Sequence, residues 1–163
     1  MTYLKPGLPI PAPSHDGLDA PFWKGLAEEH LLLQRCGACA RWQWGPEWIC
    51  HRCLSFDVRY EVTHADGVIY SYERVWHPVH PSLKDQCPYL VVLVELPHAD
   101  NVRLVGNLLG DPRAPVVIGA RVTGVFEHHS DPDPFTLLQW RLAGTAGEAK
   151  AGATAVARAL ETA

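Results

Sequence analysis

The chain has 163 residues, 47% of them hydrophobic and 20% charged. That ordinary globular balance permits a core and suits one domain, or a small domain joined to a metal-stapled module. Its 14 Lys and Arg against 18 Asp and Glu leave a net charge of −4, which counts against nucleic acid as a partner because affinity for phosphates rests on clustered cations.

The first segment, residues 1–19, reads as an extended arm: Pro6, Pro9, Pro11 and Pro13 forbid a helix. It has no apolar stretch of the kind a secretion signal needs, and no later segment has the apolar length of a membrane span. A cytoplasmic protein is expected. Residues 20–34 are predicted to hold a short helix and a lead-in strand. Asp19 is placed to cap the helix and Pro21 lies in its first turn. Phe22, Trp23, Leu26 and Ala27 recur at helical spacing on one side. A helix this short needs a surface to lie on.

Residues 35–55 contain Cys36-Gly-Ala-Cys39 and Cys50-His-Arg-Cys53, with ten residues between the pairs. Two such pairs read as a tetrahedral zinc site, since zinc takes soft thiolates and imposes no geometry of its own. Four sulfurs leave no position open for water or substrate, so one structural zinc per chain is expected, bound by Cys36, Cys39, Cys50 and Cys53. Iron in the same site, as an electron-transfer centre, is the competing metal reading. Between the pairs stand Trp42, Trp44 and Trp48. They are expected to shield the metal and pack a module too small to fold without it; a docking platform is the alternative. His51, inside the second pair, is expected to face solvent or a partner.

From residue 56 to residue 142 the pattern is short strands and turns. Val68, Tyr70, Tyr72 and Trp76 follow a period of two. Residues 90–96 form an almost unbroken apolar run, as in a strand buried on both sides. Val102, Leu104, Gly106 and Leu108 share one face, as do Val122, Gly124 and Phe126, and then Leu138, Trp140 and Leu142. Five strands at this spacing predict a small closed barrel of the OB type. The fold class is therefore mainly β: an N-terminal helix, a rubredoxin-like zinc ribbon and a C-terminal OB-fold barrel. The Ala- and Gly-rich tail, 143–163, is read as flexible, with at most a weak helix over 153–160.

Other chemistry is sparse. His77 and His80 sit in a proline-broken loop, Trp76-His-Pro-Val-His-Pro81, as candidate partner or ligand contacts, and as the acid–base pair of a catalytic reading. Cys87 reads as a loop thiol. His128 and His129 read as strand-edge residues, and Asp111, Asp131 and Asp133 beside prolines serve turns. Arg103 and Arg121 fall opposite the core parity, where a barrel face can carry a ligand. No nucleophile elbow, phosphate loop or zinc-protease motif occurs.

The combination of Pro21-Phe-Trp-Lys-Gly-Leu26, the two cysteine pairs, Gly67-Val-Ile-Tyr-Ser-Tyr72, Cys87-Pro-Tyr-Leu-Val-Val-Leu-Val-Glu95 and Val117-Ile-Gly-Ala-Arg-Val122 resembles the acyl-CoA-associated zinc-ribbon/OB-fold family, long catalogued as a domain of unknown function. The resemblance covers roughly residues 20–142, by the same motif reading that identifies ribbons. It implies a non-catalytic subunit that binds a thiolase or acyl-CoA aldolase and shares an acyl-CoA site with it, in lipid, sterol or related metabolism. A MaoC-like hydratase is the other partner it implies, on a separate polypeptide. Glu73-Arg74 stands where the family often has Thr. On this reading Phe22, Trp23, Trp42, Trp44, Trp76, His77, His80, Tyr89, Arg103 and Arg121 are the candidate ligand or partner contacts. A nucleic-acid-binding ribbon/OB module and a CoA-dependent lyase or hydratase acting alone are the competing functions.

Overall fold

The computed structural model describes residues 17–78, 80–130 and 134–144; most of the proline-rich arm and of the tail, including the expected helix over 153–160, lies outside them. Helix α1 (Ala20–Ala27) has Pro21 in its first turn. Asp19 makes no side-chain cap; its carboxylate instead accepts the indole N–H of Trp23 at 2.7 Å. Glu29, with φ 59°, turns the chain out of the helix. Of the expected apolar face, Phe22 and Leu26 are buried together with Gly25, whereas Ala27 is exposed.

Two antiparallel sheets follow. The first has the order β2-β1-β3, from β1 (Leu31–Cys36), β2 (Trp42–Gln43) and β3 (Val58–Thr63). The second has the order β6-β5-β4-β7-β8, from β4 (Asp66–Val75), β5 (Tyr89–Leu96), β6 (Val102–Asn107), β7 (Arg121–His129) and β8 (Phe135–Leu142). A parallel bridge between Leu108 and Trp140 brings the ends of this sheet together, and Leu109 N–H donates to Trp140 O at 2.8 Å. The result is the nearly closed five-stranded barrel of an OB-fold. The mainly β fold with one N-terminal helix, a four-cysteine ribbon and an OB barrel is thus the observed one.

One hydrophobic core runs through both sheets. It joins Phe22 and Leu26 of α1, Leu31 and Leu33 of β1, and Ile69, Val92, Leu104 and Trp140 of the barrel. Burying a leucine or phenylalanine side chain contributes about 1.5–3 kcal/mol, so Phe22 and Leu26 hold an eight-residue helix that would be marginal alone.

Two further expectations are corrected. The face Val68, Tyr70, Tyr72, Trp76 is not continuous: the register of β4 on β5 shifts between Ile69 and Ser71. The bulge breaks the period of two, so Gly67 and Ile69 face the core while Tyr70 and Tyr72 are exposed; Trp76 lies beyond the strand. The run 90–96 is fully buried on one face only, with alternating buried and half-buried residues along β5. Among the described residues, no helix is long and apolar enough to cross a membrane.

Candidate functional site

The two cysteine pairs are built by the same hydrogen bonds. In the first, Cys36 N–H donates to Arg41 O at 2.9 Å and Ala40 N–H to Cys36 O at 2.8 Å. In the second, Cys50 N–H donates to Ser55 O at 2.9 Å and Leu54 N–H to Cys50 O at 3.1 Å. Each knuckle ends on a residue in the left-handed region, Ala40 (φ 59°) and Leu54 (φ 62°). This tight turn aims both sulfurs of a pair the same way. Cys36 and Cys50 are buried, Cys39 is half-buried and Cys53 exposed.

The sulfurs lie within 4.8 Å of one another, with 3.6 Å between Cys36 and Cys53 and 3.7 Å between Cys39 and Cys50. A zinc ion with Zn–S bonds of 2.3 Å in a tetrahedron sets its sulfurs about 3.8 Å apart. The four cysteines therefore fit one metal ion, which closes its coordination and makes the site structural. The thiols also conflict without a cation. The Cys50 thiol is held down at about 6, first by the Cys53 backbone N–H and then by that of Arg52. Cys53 is pulled down by the Ser55 backbone N–H, but its hydrogen bond with Cys39, burial and the other two sulfurs push it up to about 12. A divalent cation removes this conflict by compensating all four thiolates.

Two buried glutamines, which the sequence reading passed over, hold the segment between the knuckles. Gln34 of β1 donates its amide to Glu47 O and accepts Glu47 N–H, both at 3.0 Å. Gln43 of β2 donates to Gln34 Oε1 at 2.9 Å and accepts His51 N–H at 2.9 Å. Trp42 and Trp44 pack against the common core, with Trp44 4.3 Å from Phe22 between ring centroids, and Trp48 is 74% exposed. Trp42 and Trp44 thus fill the packing role expected of them by joining the ribbon to the helix and barrel, while Trp48 stands out from that core.

Four candidate contacts meet at one place. Phe22 and Trp23 of α1, Trp44 of the ribbon, and Arg103, Val105 and Leu137 of the barrel line a groove of about 420 Å³. Phe22 belongs mainly to the core, at 5% exposure. The Arg103 guanidinium is already engaged: it lies 3.5 Å from the Tyr70 ring centroid and bonds Glu95 at 2.9 Å. The groove is therefore an aromatic and aliphatic wall with a neutralised cation on its rim.

The other candidates stand apart from it. Trp76, His77 and His80 are exposed beyond β4, Tyr89 is half-buried at the start of β5, and Arg121 is exposed at the start of β7. Trp76 is flanked by Arg113 and Arg74, whose guanidinium carbons lie 5.4 and 6.0 Å from its ring. Cys87 is half-buried. His128 lies between Thr136 Oγ1 at 2.9 Å and Glu29 at 3.2 Å, and His129 stacks on Phe135 at 4.7 Å.

Comparison with known proteins follows the same division. Residues 23–59 match the ChsH2 rubredoxin-like zinc ribbon domain and residues 61–127 the ChsH2 C-terminal OB-fold domain. A "Probable enoyl-CoA hydratase alpha subunit" of Thermomonospora curvata is 35% identical over 122 residues, 75% of this chain; the chain spans 37% of that relative's length. Among solved structures, a chain of an Ltp2-ChsH2(DUF35) aldolase superposes with a TM-score of 0.68 at 34% identity, covering 82% of this chain and 99% of that one. A DUF35-family protein of unknown function from Sulfolobus solfataricus shares the fold, with a TM-score of 0.51 at 16% identity over 78% of this chain and 86% of that one. With both domains matched in order and the aldolase chain covered almost end to end, the protein belongs to the ChsH2 (DUF35) family.

Proposed function

We propose that this chain is an accessory subunit that binds a thiolase-like enzyme, either a thiolase or an acyl-CoA aldolase, and helps form its acyl-CoA site. The observation that carries the reading is the likeness to the ChsH2(DUF35) chain of an aldolase over 99% of that chain's length. The metal centre supports it: four sulfurs close the coordination sphere, so the ion holds the ribbon and offers no position to substrate. The subunit's contribution is positional. It buries acyl surface, excludes water and orders partner loops. The aromatic groove between α1, Trp44 and the barrel is the surface suited to that task.

Co-expression with a thiolase or an acyl-CoA aldolase from the same organism tests this. Co-elution, with partner activity that depends on this chain, is expected. Separate elution, with a partner equally active alone, overturns it. A second reading, with an enoyl-CoA hydratase as the partner, is favoured by the Thermomonospora curvata relative and is tested by the same experiment with the hydratase.

A further inference from the structure

β4 pairs with β5 from Val68 to Val75 but with β7 only through Asp66, Gly67 and Val68. Ile69 still bonds the backbone of Ala120 and Gly119, at 2.9 and 2.8 Å. Past it, the β7-side edge of β4 has no strand partner among the described residues. An open edge is a template for another strand, and proteins blunt such edges with charge or cover them. β3, an outer strand of the ribbon sheet, is blunted: Arg59 pairs with Asp57 and Glu61 with Arg35. The edge of β4 is bordered by apolar surface. Tyr70, Tyr72 and Trp76 are 45%, 41% and 52% exposed, and Val117 and Ile118 beside them 65% and 56%.

The segment 111–120 runs along this edge without forming a ladder. At Ile69 the two are joined backbone to backbone, but at Arg74 the link is a side chain, with Nη2 donating to Ala114 O. The space between them therefore widens toward Trp76. Arg74 Nε is buried there with no hydrogen-bond partner, and the Arg113 guanidinium carbon stands 5.4 Å from the centre of the Trp76 ring. Among the described residues neither arginine is in an ion pair.

We infer that this cleft takes an extended acidic segment of the protein partner as an added strand beside residues 70–75, with a carboxylate meeting Arg74 and Arg113. The ladder of open backbone groups selects an extended chain, the mode in which main-chain bonds give affinity and flanking side chains give specificity. The two unpaired guanidiniums select the acid. The inference rests on the accessory-subunit reading for the identity of the partner.

Amide hydrogen exchange on the full chain, alone and with the thiolase or acyl-CoA aldolase of the co-expression experiment, is the test. In the complex the amides of residues 70–75 that face away from β5 slow by about tenfold or more. Arg113→Glu weakens the complex by about tenfold or more while leaving metal content and melting temperature unchanged. A complex that forms with unchanged exchange at 70–75 and wild-type affinity for the variant overturns the cleft and leaves the accessory reading standing. Absence of any complex overturns both. Protection of 70–75 that grows with the concentration of the isolated chain makes a second copy the occupant and overturns the partner assignment.

Discussion

Asp100 Oδ2 accepts the backbone N–H of Trp42 at 2.8 Å, while Oδ1 takes Arg41 Nη1 at 2.5 Å. One carboxylate, in the turn between β5 and β6, thereby ties the barrel to the start of β2 in the ribbon. The Trp42 N–H is the largest influence holding this carboxyl below the ordinary carboxylate range, and Arg41 adds to it. Asp100 occupies the left-handed region at φ 53°, which Asn tolerates and Ala does not. Asp100→Ala is expected to cost about 1–2 kcal/mol, toward the lower end because the pair is exposed, and Asp100→Asn less. The folded value is depressed, so the linkage stabilises the protein above the unfolded carboxyl value of about 3.9 and is lost as pH falls through the lower folded value. Thermal melts should show the gap between wild type and Asp100→Asn closing below about pH 4; a gap constant from pH 7 to 3 would refute the assignment.

Gln34 is the next test of the ribbon. Its side-chain amide satisfies both backbone groups of Glu47 and also receives Gln43. Gln34→Leu keeps the volume and strands those groups at a position only 3% exposed. Leaving buried partners unpaired costs about 1–3 kcal/mol. A loss of that size in denaturant melts, with weaker metal retention because Cys50 rides on the same segment, is expected; unchanged stability would show the network to be incidental.

These two anchors also mark where sequence reasoning stops. Cysteine spacing declares the metal site because thiolate chemistry is local. The strands carrying Val102 and Leu104, and Leu138 and Trp140, are legible because burial on one face imposes a period of two. The bulge after Ile69 erases that period without a residue type to announce it. Asp100 and Trp42 are 58 positions apart, and as a turn residue Asp100 reads the same whether or not it binds anything. Phe22, Trp23, Trp44 and Arg103 could each be singled out as candidate contacts. Their convergence on one groove follows from α1 packing on the barrel, which the helix's own pattern does not specify.

Barrel closure makes a sharper prediction at Gly106. A Cβ there would stand 2.6 Å from Leu138 O and 2.9 Å from the Trp140 ring. Alanine gains about 0.4–1 kcal/mol by restricting the unfolded chain, but overpacking costs about 1–3 kcal/mol. The nearest obstacle is a backbone carbonyl of β8, which cannot swing aside, so the cost wins. Gly106→Ala should lower the melting temperature and increase indole fluorescence quenching as Trp140 loosens; a stabilised variant would show that the β6–β8 seam yields.

The metal reaches beyond the ribbon because Leu31 and Leu33 belong to the same core as Trp140. Structural zinc contributes about 10–16 kcal/mol of apparent binding energy in small fingers, comparable to the about 5–15 kcal/mol that holds a whole domain. Chelation, or Cys50→Ser, should therefore lower the melting temperature of the whole protein in a single transition. Independent melting of an intact barrel would contradict the shared core. Proton counting supplies a second measure. In the folded site the backbone N–H groups of Cys53 and Arg52 hold the Cys50 thiol down toward the thiolate, whereas its neighbouring sulfurs push Cys53 up. Zinc entering that site at pH 7 must displace the proton of Cys53 but meets a Cys50 that holds its proton less tightly. Calorimetry in buffers of differing ionisation enthalpy should show fewer than four protons released per ion bound by the four cysteines, with more released at pH 5.5 and weaker binding there, as protons compete for the same sulfurs. Release of all four at pH 7 would mean that the Cys50 thiol is not pre-ionised by the N–H groups around it.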